Sequence, residues 1–484
     1  IERTETVSAI DLAARAADAA LDQAKGLRDR VERVSVVNML TPVGPAPAAR
    51  LARRLGIDPA VREVSTIGGN SPQTLVARAA AAIAAGDAEV VLVAGAEAQR
   101  SQRARRPEGG RVSGTPSEQH ETVPDAVVGD DRPGVSDHEL SAGLVAPVNI
   151  YALFESALAR RAARDFASHR AALGRLMAPF TKVAATHPYA WFPHPRDPQA
   201  LADVAPDNRL VSEPFTKRLC AVIGVDQGAA VVVTSLGAAR SAGVADRAVF
   251  CWSSASAADV WFPTQRPDLA RSPGIAAAVG SALAGAGLGV DDLDAFDLYS
   301  CFPCAVELAV DAIGITGDDP RGLTVTGGLP YFGGPGNNYT LHAIATMTER
   351  LRDHGGRGLV TGLGWYATKH AAGVYASEPP PRGYVSADTT DAQQAIDATA
   401  VPVVAGVDGG QARRAQVLGA TIAFGPGGEP HAAPVIARLE DGRQLAADAA
   451  EGELAPIGSR NLAGAQIEVA GTPARYRVLA EAGA

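Results

Sequence analysis

The stretch Arg62–Gln99, REVSTIGGNSPQTLVARAAAAIAAGDAEVVLVAGAEAQ, decides the fold. It predicts a strand, a tight glycine turn, a helix, a Gly-Asp turn and a buried strand. Gly68 and Gly69 end the first strand. Ser71 is placed to cap the helix and Pro72 to open it, since a proline's missing N–H costs nothing in a first turn. Leu75, Val76, Ala79, Ala80 and Ile83 recur at helical spacing. Val90-Val91-Leu92-Val93 is the unbroken apolar run expected of a strand covered on both faces. A helix N-terminus leaving a glycine turn gathers unpaired N–H groups and the positive end of the helix dipole, which suits a nucleophile or an anion.

Composition bounds what such a unit serves. A chain of 484 residues favours two or three domains. Its 46% apolar and 20% charged residues are those of an ordinary globular protein. A net charge of −9 argues against nucleic acid as the main partner. No apolar run approaches the ~20 residues that span a bilayer. The N-terminal IERTETVSAIDLAARAADAA lacks the basic region and apolar core of a secretory signal, so a cytoplasmic location is expected. Cys220, Cys251, Cys301 and Cys304 are too few for a disulfide framework. Lysine occurs only at positions 25, 182, 217 and 369, a bias that reads as genomic composition.

Working outward, residues 9–24 predict an amphipathic helix and Val34–Leu40 a strand. Residues 100–142 are polar and rich in Gly and Pro, with a basic cluster (Arg100, Arg103, Arg105, Arg106, Arg111) ahead of an acidic one. They read as a long loop or flap. Helices follow at Asn149–Ala163 and His169–Val183, and a buried strand at Ala229–Thr234. A second half repeats the alternation from the strand near Arg247–Ser254: helix Ser272–Ala286, strand Ala295–Leu298, helix Ala305–Ile313, glycine turn Gly327–Gly336, helix Tyr339–Arg352 and strand Gly358–Thr361. The repeat predicts a duplicated α/β fold with mostly parallel sheets. After Glu378-Pro379-Pro380-Pro381, apolar runs at Val401–Val404, Gln416–Ile422, Ala433–Leu439, Gln466–Val469 and Tyr476–Leu479 alternate with turn residues and predict a small all-β domain.

The Arg62–Gln99 segment resembles the nucleophile segment of the thiolase superfamily, and Asn208–Ser235 resembles the close of a thiolase N-terminal half. The resemblance covers about residues 5–378 and is nearest to the sterol-carrier-protein-type thiolases and mycobacterial thiolase-like proteins. It implies two similar α/β halves in five layers, αβαβα: residues 1–245 with an insertion about 100–190, residues 246–385, and then a β-rich, OB-like domain at 386–484. Thiolase-like chains usually begin with a strand before the first helix; here Ile1 lies almost at that helix.

The resemblance also sets out what thiolase chemistry requires. It needs a cysteine nucleophile at the helix N-terminus, a histidine in a Gly-His-Pro turn, a second cysteine as acid and base, and a segment forming an oxyanion hole. In this chain Gly68 stands where the thiol would be. Gly334, in Gly333-Gly334-Pro335, replaces the histidine. No cysteine follows Cys304, and Leu363, in Gly362–Trp365, marks the second cysteine's place. The family's His-Asp-Cys-Phe segment matches Tyr299-Ser300-Cys301-Phe302. An acyltransferase of the acetyl-CoA acetyltransferase type is thus implied by resemblance, with its reactive side chains replaced.

The remaining polar groups carry alternative readings. Tyr299 is either the base of a retro-aldol cleavage of a β-hydroxyacyl-CoA, as in related steroid side-chain aldolases, or a strand-end tyrosine with a satisfied hydroxyl. Tyr339 opens the following helix, where a second phenol can face the first. His370 lies in an amphipathic stretch as either a catalytic or a structural group. Ser71 reads as a helix cap or as a nucleophile without a visible base, and Asn70 as an amide donor or a turn residue. Lys217, Cys301, Asn337 and Asn338 complete the candidate ligand contacts. Cys301 and Cys304 have CxxC spacing, but without a second pair they read as buried thiols rather than zinc ligands. No metal and no permanently bound cofactor are expected. The expected ligand is coenzyme A or an acyl-CoA, the assembly a homodimer or monomer, and the C-terminal domain a possible surface for a protein partner. A non-catalytic CoA-binding scaffold is the competing reading.

Overall fold

A computed structural model describes residues 1–105, 125–407 and 411–479. The first half forms a five-stranded sheet in the order Ala126–Val128, Val61–Ser65, Arg33–Val36, Val90–Ala98, Asp226–Thr234. Its first four strands are parallel and the last is antiparallel. All nine residues of Val90–Ala98 are buried, which is why that strand reads as an apolar run rather than an alternation. The second sheet runs Val385–Ser386, Phe250–Ala258, Lys369–Ala376, Arg357–Gly364, Ala295–Asp297. Here the three long strands are antiparallel to their neighbours, and only the edge pairings are parallel.

Helices Ser71–Ala85 and Tyr339–His354 lie between the sheets and touch strands of both. Ala9–Gln23 and Pro47–Leu55 cover the outer face of the first sheet, and Pro273–Ala286 covers that of the second with Pro303–Ile313 packed against it. This is the five-layer αβαβα arrangement. Ala9–Gln23 shows how sequence dictates a layer. Leu12, Ala13, Ala17 and Leu21 line its buried stripe, and the Ser8 hydroxyl accepts the Asp11 N–H at 3.1 Å as its N-cap.

Three segments depart from the sequence reading. Ser71 does not cap its helix: it is the first helical residue and its hydroxyl donates backwards to the Thr66 carbonyl at 2.9 Å. Asn70 occupies the cap position without a capping bond, and Pro72 sits second in the first turn. The polar stretch after residue 100 is not all loop, since Ala126–Val128 joins the first sheet and Asp137–Ser141 is a short helix with a Ser136/Glu139 capping box. The part of that stretch containing Arg106 and Arg111 lies outside the described residues. The segment around His370 is a strand, Lys369–Ala376, buried along its whole length. Small alanine and glycine residues there mimic an amphipathic pattern, and pairing on both sides overrides it.

At the C-terminal end Arg413–Ala420, Val435–Leu439, Gln444–Ala449, Arg475–Val478 and Gln466–Ala470 close, in that order, into a barrel. Val417, Val435, Leu445, Ile467 and Tyr476 fill it. The apolar run Val401–Val404 contributes only an isolated bridge, at Val403. The barrel is seated on the first half: the Ala420 N–H donates to Ser156 Oγ at 2.8 Å, and the Ser212 and Thr421 hydroxyls bond at 2.8 Å. No helix among the described residues is long and apolar enough to cross a membrane.

Candidate active site

The glycine turn lies where the two halves meet, and other groups fill the space a nucleophile would use. A Cβ at Gly68, whose φ is +152°, would lie 2.3 Å from Asn70 Oδ1 and 3.2 Å from Lys369 Nζ. A Cβ at Gly69 would lie 2.2 Å from the Tyr299 hydroxyl and 2.5 Å from the Leu363 carbonyl oxygen. Close approach to fixed backbone therefore requires Gly69, while at Gly68 the ends of the Asn70 and Lys369 side chains fill the space. The backbone of the turn is also occupied. The Gly68 N–H donates to Asn337 Oδ1 at 2.9 Å, and Thr340 Oγ1 donates to the Gly69 carbonyl at 2.6 Å.

Asn337 in turn donates to the Asn38 carbonyl at 2.9 Å, and Asn338 to the Gly95 carbonyl at 2.8 Å. These two amides bind the loop before helix Tyr339–His354 to the first half, which is structural work. Tyr299 and Tyr339 do meet, edge to face, with ring centroids 5.5 Å apart. Tyr339 is fully buried, and its hydroxyl bonds Thr326 Oγ1 at 2.5 Å and donates to Asp297 Oδ1 at 3.1 Å. Burial, with the Cys301 thiol nearby, pushes the Tyr299 phenol well above its ordinary value. Burial and the Asp297 carboxylate do the same to Tyr339. The void beside Tyr299, bounded also by Leu363 and His370, is only ≈ 10 Å³, room for about one water and not for an acyl chain.

His370 packs on the start of helix Pro273–Ala286. Its Nε2 lies 2.9 Å from Asp259 Oδ2 and 3.4 Å from Ser272 Oγ. Ser272 donates to the same Asp259 oxygen and accepts the Ile275 N–H at 3.2 Å as the helix cap. Both partners approach one nitrogen, so this is a helix-capping cluster rather than a relay in which the histidine bridges acid and serine. A Cβ at Gly334 would lie tightly at 3.3 Å from the Val222 carbonyl, and its next nearest neighbours are the Ala221 and Leu329 side chains. Cys301 and Cys304 are buried free thiols, and burial pushes Cys301 up to about 12. Lys217 is exposed, and Arg100 is paired with Asp226 at 3.0 Å.

A cavity of ≈ 520 Å³ opens on the flank of the turn instead. Asn70, Ser71, Arg132, Trp261, Lys369 and His370 are among its lining residues. Lys369 Nζ donates to the Ile67 carbonyl and, at 3.1 Å, to the Asp130 carbonyl. No carboxylate pairs with it among the described residues, and burial lowers its ammonium to about 8 against the opposing pull of Asp130. Arg132 lies over the Trp261 ring, 3.6 Å from its centroid, while its guanidinium bonds Asp130. Lys369 and Arg132 escape sequence reasoning because the strand and flap that carry them are remote in the chain. The one available signal is that Lys369 is one of only four lysines.

A duplicated α/β fold closing on a glycine turn, with the thiol's place filled, is a thiolase-type architecture. The N-terminal domain of thiolases matches residues 2–138. A monomeric SCP2-thiolase like protein type 1 from Mycobacterium smegmatis is 31% identical, with 99% of this chain and 96% of that chain covered and a TM-score of 0.83. An acetyl-CoA acetyltransferase from Syntrophomonas wolfei is similar in fold at 18% identity, with 77% of this chain and 94% of that one covered and a TM-score of 0.55. No curated protein matches by sequence. The chain belongs to the thiolase superfamily, as an SCP2-thiolase-like protein.

Proposed function

We propose that this chain binds coenzyme A or an acyl-CoA thioester without cysteine-dependent thiolysis or condensation, in acyl-CoA or lipid metabolism of the cytoplasm. The observation that carries the reading is the turn itself: Gly68 carries no thiol and Gly69 has no room for a side chain, while a cavity with the Lys369 ammonium at its wall opens beside them. An ammonium held by two neutral carbonyls keeps net positive charge, which suits a phosphate, whereas the Arg132 fork is already closed on the Asp130 carboxylate. Asn70 lines the same mouth with an amide, free among the described residues, for a carbonyl or amide of the ligand, whereas the Ser71 hydroxyl is already given to Thr66. Coenzyme A acts here as ligand, not as a resident cofactor. The monomeric M. smegmatis relative supports a monomer, and the barrel remains the surface for any protein partner.

Packing weighs against the retro-aldol reading. A phenol base must lose its proton, and burial opposes that at Tyr299. Tyr339 is committed to Thr326 and Asp297. Titration calorimetry with coenzyme A and acetoacetyl-CoA tests the proposal. Saturable one-to-one binding is expected, weakened on the order of tenfold in Lys369→Met and less in Arg132→Ala. Absence of binding to the wild-type chain, or equal binding by both variants, would overturn the assignment of ligand or of site.

A further inference from the structure

Three helices converge on a group of side chains that the proposed function does not use. Glu155 comes from Pro147–Arg161, His169 from Phe166–Thr186 and Glu307 from Pro303–Ile313. One ligand atom from each lies within 4.8 Å of the other two. His169 Nε2 is 2.7 Å from Glu155 Oε1 and 3.8 Å from Glu307 Oε2. Glu155 and His169 are completely buried, and the Glu307 side chain is 24% exposed. Glu155 Oε2, Glu307 Oε2 and His169 Nδ1 are buried without a hydrogen-bond partner among the described residues. No lysine or arginine among the described residues forms a salt bridge with either carboxylate. Glu155 and Glu307 face each other within hydrogen-bonding reach, and two buried carboxyl groups so placed must either share a proton or hold a cation between them.

We propose that Glu155, His169 and Glu307 form a binding site for a divalent transition-metal ion, with Zn²⁺ as the best match. One imidazole and two carboxylates suit zinc, which binds such donors at about 2.0–2.2 Å. Ligand atoms of a tetrahedral shell of that size are about 3.3 Å apart, between the 2.7 and 3.8 Å observed around His169 Nε2. Calcium and magnesium call for about six or more oxygens, which this group does not offer. Glu307, the one partly exposed member of the three, lies on the solvent side of the group. The ion would fasten three helices at the barrel's seat. Ser156, next to Glu155, holds the Ala420 N–H of the barrel, and the Glu307 helix starts at Pro303, just past Tyr299–Phe302.

The test uses the full chain, stripped with a chelator and titrated with ZnCl₂ and CoCl₂. One equivalent of zinc is expected to bind in the micromolar range or tighter and to raise the thermal midpoint, as for any ligand of the native state. Cobalt is expected to give the visible bands of a four- or five-coordinate site. Glu155→Gln and His169→Gln are each expected to lower zinc affinity at least tenfold. Overturning results are a wild-type chain that binds no zinc below about 100 μM, a thermal midpoint indifferent to the metal, or undiminished binding in both variants. The first two outcomes would make the trio a proton-sharing carboxyl pair beside a neutral histidine. The wild-type titration decides the matter even if a variant fails to fold.

Discussion

Replacing Gly69 by alanine probes the closure of the thiol turn with a single methyl group. That methyl would lie 2.2 Å from the Tyr299 hydroxyl and 2.5 Å from the Leu363 carbonyl oxygen, where ordinary contact begins at 3.4 Å. The phenol can swing, but the Leu363 carbonyl belongs to the paired strand Arg357–Gly364 and cannot. Overpacking typically costs about 1–3 kcal/mol, and two clashes, one with backbone, place Gly69→Ala at about 3 kcal/mol. Tyr299→Phe alone removes one hydroxyl and costs about 1 kcal/mol or less. In the double variant the hydroxyl is gone, but the ring Cζ, 2.6 Å from that methyl, and the backbone clash stay, so the alanine should recover only part of its cost there, about 0.5–1 kcal/mol. Urea unfolding followed by tryptophan fluorescence measures all four corners of the cycle, provided the slope is unchanged. A Gly69→Ala chain within about 0.5 kcal/mol of wild type, or a cycle without coupling, would refute the claim that Tyr299 and Leu363 fill the turn.

Other consequences are open to measurement. With its pKa lowered to about 8, the Lys369 ammonium loses its proton as pH rises through that value. Calorimetry should therefore show coenzyme A binding about tenfold weaker at pH 9 than at pH 7. From about 8 up to the ordinary lysine value the unfolded chain holds this proton and the folded chain does not. The Lys369 contribution to stability therefore rises with pH across that window, and Lys369→Met should abolish that part of the pH dependence. Cys301, pushed up to about 12, and Cys304, pushed well above the ordinary thiol value by burial, should resist iodoacetamide at pH 8 in the native chain and react once it is unfolded in urea, as mass spectrometry of the labelled chain can read. Ser156→Ala leaves the buried Ala420 N–H without its acceptor and should destabilise the chain by about 1–3 kcal/mol in the same urea assay.

The layered fold was legible because its signals are local. The Val90–Ala98 run and the stripe of Ala9–Gln23 report burial directly. The glycine turn was legible too, but not what fills it. Tyr299, Leu363 and Lys369 reach Gly68 and Gly69 across more than two hundred residues of chain, and only the closing of the two halves brings them there. Ser71 looked like a cap because its type and place agree, yet its hydroxyl is drawn back to Thr66. His370 looked amphipathic because alanine and glycine are silent about which face is covered. The Glu155, His169 and Glu307 trio had no sequence signature, since its members sit on three separate helices with no ligand spacing between them.

The central claim, that the turn has lost its cysteine chemistry, is tested most directly by acetyl-CoA production when the purified chain is incubated with acetoacetyl-CoA and coenzyme A. The account predicts none above the uncatalysed background. Turnover at an ordinary enzymatic rate, about 1 s⁻¹ or faster, would contradict it.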